Sequence, residues 1–204
     1  MQVSCSPPWP APVVNSALCP RPTGGGESFG YFHYEDEVGE VTTAQRVLGE
    51  LEPLGLPYEL IRIDSEHADT ATFCARYGHP LDRSANTIIV ATKKEPKRYA
   101  ACVVRADTRL DVNHAVRQLM GASRLSFAKP EETMELTGMA IGGVTVLALP
   151  KDLPIYVDER LMELDYVILG SGDRSAKIKI SPEVFRRLPS VRIVADLAMA
   201  SSLA

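Results

Sequence analysis

Two apolar runs lie close together in this chain, and they constrain its fold more than any other feature. Asn86-Thr87-Ile88-Ile89-Val90-Ala91-Thr92 and Tyr99 to Arg105 are rich in β-branched and small apolar residues. Only the charged turn Lys93-Lys94-Glu95-Pro96-Lys97-Arg98 separates them. Runs of this length joined so tightly form an antiparallel hairpin. A parallel crossover needs about a dozen residues or more, so a regular array of strand–helix–strand units is excluded here.

The remaining patterning extends that frame. Thr42 or Thr43 caps a helix that places Val47, Leu48, Leu51 and Leu54 on one face and stops at Gly55. Tyr58 to Ile63 reads as a strand, and the polar loop through Asp69 leads to a short helix that ends at Tyr77-Gly78. Asp111 to Met120 predicts a helix and Leu125 to Ala128 a strand. Pro130 opens another helix, which ends at Thr137-Gly138. An apolar run follows from Val144 to Leu149. Ile155-Tyr156-Val157 is a strand with a helix beginning at Asp158, and Tyr166 to Leu169 and Val191 to Val194 are further strands. Ala176 to Ile180 alternates with period two, so Ala176, Ile178 and Ile180 share one face, and Lys177 and Lys179 the other. Such a Lys177 points to solvent or into a cleft. The class is α+β: a mixed, largely antiparallel sheet with packed helices.

Composition matters chiefly at the N-terminus. Residues 1–30 hold six of the fifteen prolines and four glycines, but only two charged side chains, Arg21 and Glu27. Residues 1–38 are therefore expected to be a disordered or loosely attached arm, and 39–204 to be one folded domain. With no Lys or Arg in the first twenty residues, and prolines breaking the apolar run, a secretion signal is not expected. The expected compartment is the cytoplasm, with the four cysteines as thiols. No apolar run approaches the ~18 residues of a membrane span. The formal charge of −4 argues against duplex DNA as a partner. That total hides two basic stretches, 92–109 and 173–192, each with six bases and two acids, set against nine acids and two bases in 34–66.

Several motifs invite chemistry. Gly26-Glu27-Ser28-Phe29-Gly30 matches G-x-S-x-G but lacks the strand and helix that a nucleophile elbow needs. Gly170-Ser171-Gly172 begins a near match to G-x-G-x-x-G, yet a strand pattern follows where a pyrophosphate site needs a helix. The histidines His33, His67, His79 and His114 have no metal-binding spacing, so no metal or other cofactor is expected. Cys74 and Cys102 read as small buried hydrophobes. Thr137-Gly138-Met139-Ala140-Ile141-Gly142-Gly143-Val144 is more informative, with three glycines between a helix and an apolar run. Its N–H groups suit an oxyanion. A helix cap at Gly138 with a bulge at Gly142-Gly143 explains the glycines equally well, and both readings stay open.

The order T-G-x-x-x-G-G at 137–143, Ile155 to Asp158, then Val167-Ile168-Leu169-Gly170-Ser171-Gly172 before a period-two strand, resembles the YbaK/ProX family. These are trans-editing aminoacyl-tRNA deacylases, and the same fold is inserted in bacterial-type prolyl-tRNA synthetases. Glu66-His67 resembles the family's E-H segment, and Asn86-Thr87-Ile88 its K-T-L. The likeness spans about residues 44 to 196.

The resemblance implies hydrolysis of the ester between an amino acid and the terminal ribose of a mischarged tRNA. The implied partners are the 3′ end of aminoacyl-tRNA and an aminoacyl-tRNA synthetase. Carried over by position, Gly138, Gly142 and Gly143 form the carbonyl-binding loop and Asn86 takes the lysine position. Thr87, Ser171, Gly172 and His67 contribute to substrate binding.

The departures are specific. Asn86 has no charge where the family has an ammonium. Ser65 replaces an aromatic residue, the glycine turn reads G-S-G rather than S-G-G, and Lys177 replaces an Asp. A lysine is thus lost at one wall and gained elsewhere. The alternative to a deacylase is a non-catalytic binder of aminoacyl-tRNA, an amino acid or a synthetase on the same fold.

Overall fold

The hairpin is the centre of the fold. In the computed structural model, which describes residues 41–201, β2 (Ala85–Thr92) pairs antiparallel with β3 (Tyr99–Arg105), from Ala85 opposite Arg105 to Ala91 opposite Tyr99. The expected arm and the G-x-S-x-G stretch lie outside the described residues.

β5 (Leu125–Phe127) adds antiparallel to the far half of β2. β6 (Ile155–Asp158) and β9 (Val191–Val194) add parallel on the side of β3. The five-stranded order is β5-β2-β3-β6-β9. A second sheet has the order β1-β8-β7, from Tyr58–Arg62, Ala176–Ile180 and Val167–Gly170, all antiparallel. β4 (Thr108–Leu110) pairs antiparallel with β10 (Ala198–Ala200). Mostly antiparallel pairing with segregated helices is the α+β class.

Period-two alternation in β2, β3 and β6 explains why those strands are almost wholly apolar. Ala85, Ile89, Ala101, Val103, Ile155 and Val157 face one buried cluster. Val90, Ala100, Cys102, Val104 and Tyr156 face another. A sheet covered on both faces has no solvent side for polar residues.

The helices fill in around it. α1 (Thr43–Leu51) starts at a capping box in which Thr42 accepts from the Gln45 N–H, and it buries Val47 and Leu51. α2 (Thr70–Tyr77) is capped by Asp69 and closed by Gly78. The helix expected over 111–120 begins as a π-turn, Val112–Val116, before α3 (Arg117–Leu119). α4 (Pro130–Thr137) starts at its proline. The helix expected from Asp158 is a 3-10 turn, Glu159–Glu163, and α5 is Val184–Arg187. The apolar run 144–149 is irregular: Ala148 has φ 56°, while Val146 and Leu147 are fully buried.

Candidate functional site

On this side of β2, β5 pairs with residues 90–92, the Ala128 N–H donates to the Ile89 carbonyl, and β7 bridges only Ser84, opposite Ile168, so residues 85–88 are left without a strand partner there among the described residues. A cavity of about 320 Å³ opens there. Its walls are β2 from Ala85 to Ile89, Asp69 and Thr70 at the head of α2, and Phe127-Ala128 after β5. Thr133 of α4, Ile141 and Gly142 of the glycine loop with Val144 just after it, Gly170 at the end of β7 and Lys177 of β8 complete them. Asp69 and Lys177 are the charged groups among these residues.

Lys177 is the chemical centre of the site. Its side chain leaves the face of β8 opposite Ile178 and is only 4% exposed. Nζ donates to the carbonyls of Ala68 at 2.7 Å and Gly142 at 2.8 Å, and stands 5.8 Å from the Phe73 ring centroid. An ammonium has three protons to donate, so two carbonyls leave one for the cavity. Burial pulls its pKa down from 10.5 to about 8, and the nearby Asp69 carboxylate opposes that shift. A desolvated lysine in a cleft, with carbonyl rather than carboxylate contacts, is a pattern associated with functional sites. The neighbouring Lys179 differs: it ion-pairs Glu59 at 3.1 Å and stacks on Tyr166.

The glycine loop divides its glycines among three tasks. Gly138 caps α4 at φ 68°, with its N–H on the Met134 carbonyl and its own carbonyl accepting from the Thr43 hydroxyl. Gly143 is a packing glycine, since a Cβ there would stand 1.9 Å from the Asp173 carbonyl oxygen. Its N–H donates to Ala140, and its carbonyl accepts from Gly172. Gly142 lies at the tip with φ 91° and lines the cavity. Lys177 holds the Gly142 carbonyl and Arg174 the Ile141 carbonyl, at 2.8 Å each. The N–H groups of 138, 139, 140 and 143 are all bonded within the loop and its neighbours. Those of Ile141 and Gly142 have no protein partner among the described residues.

Of the residues anticipated from sequence, Asn86, Thr87 and Gly142 meet at this cavity. Gly138, Gly143, Ser171, Gly172 and His67 are not among its lining residues. The Asn86 amide oxygen accepts from the Thr70 hydroxyl at 2.7 Å, and the Thr87 hydroxyl is buried with no partner among the described residues. Ser171 is turned inward, its hydroxyl donating to the Ala176 carbonyl at 2.8 Å. Gly172 bonds Gly143, and His67 stands edge-on to Tyr77. Asp69 and Thr70 were legible only as helix caps, and Phe127 only as a strand residue. Among the described residues no three His, Cys, Asp or Glu side chains cluster to hold a metal, and no helix is long and apolar enough to cross a membrane.

Comparisons with known proteins agree with this architecture. The chain is 26% identical, with a TM-score of 0.66, to a protein proposed as a trans-editing enzyme for prolyl-tRNA synthetase, over 78% of this chain and 98% of that one. It is 27% identical, with a TM-score of 0.67, to the hypothetical protein APE2540, over 76% of this chain and 99% of that one. The uncharacterized protein YwhH of Bacillus subtilis is 29% identical over 106 residues, 52% of this chain and 65% of that relative, so the match spans just under two thirds of its length. The family model of the aminoacyl-tRNA editing domain matches residues 64–188, more than half of the 204 residues, and the chain belongs to that family.

Proposed function

We propose that this protein removes amino acids from mischarged tRNA in trans, with Lys177 supplying the charge that Asn86 lacks. Family membership supports an aminoacyl-tRNA deacylase role in general. The observation that carries the finer reading is the Lys177 ammonium, held by two carbonyls at the wall of a cavity that also receives Asn86 and Gly142.

In this reading the ester carbonyl lies against the loop tip. The N–H groups of Ile141 and Gly142 and the third Lys177 proton then face its oxygen. Donors fixed before the reaction stabilise charge that develops only in the transition state. Water adds to the carbonyl carbon and the bond to the ribose oxygen breaks. The water proton passes to that oxygen, which leaves a free amino acid and uncharged tRNA. Asp69, the acidic group in the lining, suits the α-ammonium of the aminoacyl group. The natural partners are the 3′ end of aminoacyl-tRNA and the synthetase that releases it, in the cytoplasm.

The test is ester loss from a panel of mischarged tRNAs incubated with the purified protein. Accelerated loss from at least one supports the reading. Specific binding of charged tRNA with no ester loss above buffer for any of them favours the non-catalytic binder, the reading that the uncharged Asn86 recommends.

A further inference from the structure

The cavity continues outward. A second concavity of about 310 Å³ shares Phe127 with it and runs along β5, past Ser126 and Leu125, with Arg109 and Met199 at its sides. A third, of about 500 Å³, shares Leu125 and Asn113 with the second and is lined by Lys93, Arg117 and Arg124. The three form one groove along the outer edge of the five-stranded sheet.

Its chemistry changes along its length. At the inner end is the ester-sized cavity with Lys177. In the middle are Phe127 and Met199, which are 56% and 40% exposed, an apolar platform in open solvent. At the outer end Lys93, Arg117 and Arg124 converge. None of the three has a carboxylate partner among the described residues, and no acid lines that cleft. The Lys93 N–H donates to the Arg124 carbonyl at 3.1 Å, which fixes these two residues side by side. Asp111, the acid of the middle section, is occupied by the N–H and ring of His114.

We propose that this groove binds the single-stranded 3′ end of tRNA, with bases on Phe127 and Met199 and backbone phosphates on Lys93, Arg117 and Arg124. The proposal rests on the deacylase reading of the cavity and adds the track that leads to it. Single-stranded nucleic acid is held by a cationic groove with stacking side chains. From Phe127 to Arg124 is three strand residues, about 10 Å, the length of about three stacked nucleotides. A mainly acidic chain with three converging cations at the end of an apolar platform fits a polyanion with exposed bases better than a peptide.

The experiment uses the full chain and its Lys93→Glu/Arg124→Glu variant. Fluorescence anisotropy with a short single-stranded RNA ending in CCA is read across salt concentrations. Deacylation is read on charged tRNA and on the same amino acid esterified to adenosine, which has no phosphates. The variant should weaken RNA binding roughly tenfold and flatten the salt slope by about 0.7 for each phosphate that the groove no longer neutralises. It should raise KM for charged tRNA while leaving turnover of the adenosine ester unchanged. Phe127→Ala should weaken RNA binding by about tenfold with an unaltered slope. Lys151→Glu, an exposed charge outside the groove, controls for net charge. Equal effects from Lys151→Glu and the double variant, wild-type binding by the double variant, or tighter binding of an acidic peptide than of RNA would each overturn the proposal. Because RNA binding is read without turnover, loss of the deacylase reading leaves the groove separately testable.

Discussion

Replacing Lys177 by Met should change the pH dependence of stability in a defined way. Burial lowers the folded pKa to about 8 from 10.5, against the pull of Asp69. Between those values the unfolded chain binds more protons than the folded one, so the wild-type protein gains stability as pH rises through that window. At neutral pH the buried charge destabilises the fold by about 3 kcal/mol, and raising the pH from 7 to 10 restores about 2–3 kcal/mol of that. Methionine does not titrate there. It also leaves the Ala68 and Gly142 carbonyls without their donor, which costs about 1–3 kcal/mol for each unsatisfied group. The two effects oppose each other at pH 7, so the variant should be about as stable as wild type there and progressively less stable than it by pH 10. Urea unfolding of both proteins at pH 7, 8, 9 and 10, followed by circular dichroism, measures the difference. Stabilities that run parallel over this range would mean that Lys177 is not a buried charge.

Other consequences follow from the same geometry. Gly142→Ala places a Cβ 2.6 Å from an Arg174 nitrogen at a φ of 91°, so it should lower turnover with the fold retained. Gly143→Ala, whose Cβ meets the Asp173 backbone at 1.9 Å, should lower stability by about 3 kcal/mol in thermal unfolding. Burial pushes the Cys102 thiol up to about 12, so a thiol reagent at pH 8 should label it only after unfolding. If the Lys177 cation holds the oxyanion, catalysed ester loss, corrected for the spontaneous rate, should fall as pH rises above about 8. A catalysed rate that keeps rising to pH 10 would remove the cation from the chemistry.

Much of the frame is legible in the chain itself. The hairpin 85–105 can be read because both strands are mostly apolar, apart from Asn86, Thr87 and Thr92 in β2 and Arg105 at the end of β3, and the turn between them is charged. The caps at Thr42 and Asp69 are local signals, and local hydrogen bonds answer them. β4 and β10 cannot be found this way, since each has three residues and gains its regularity only from the other. Lys177 is half legible. Alternation gives its face, but Phe73, Ala68 and Gly142, which turn that face into a cavity wall, come from distant segments. The three loop glycines look alike in sequence and separate only in space, one as a cap, one as a close contact and one at the cavity.

The absence of lysine at 86 and its presence at 177 allow the sharpest test of this chemistry. The measurement is single-turnover deacylation of a mischarged tRNA that the wild-type protein accepts, compared with Lys177→Met and with Asn86→Lys/Lys177→Met. Loss of one positioned donor to an oxyanion slows turnover by about 10²–10³-fold. A fall of that order is expected for Lys177→Met, with a partial return when the ammonium is supplied from the Asn86 wall of the same cavity. Wild-type rates in Lys177→Met would exclude the ammonium from the reaction.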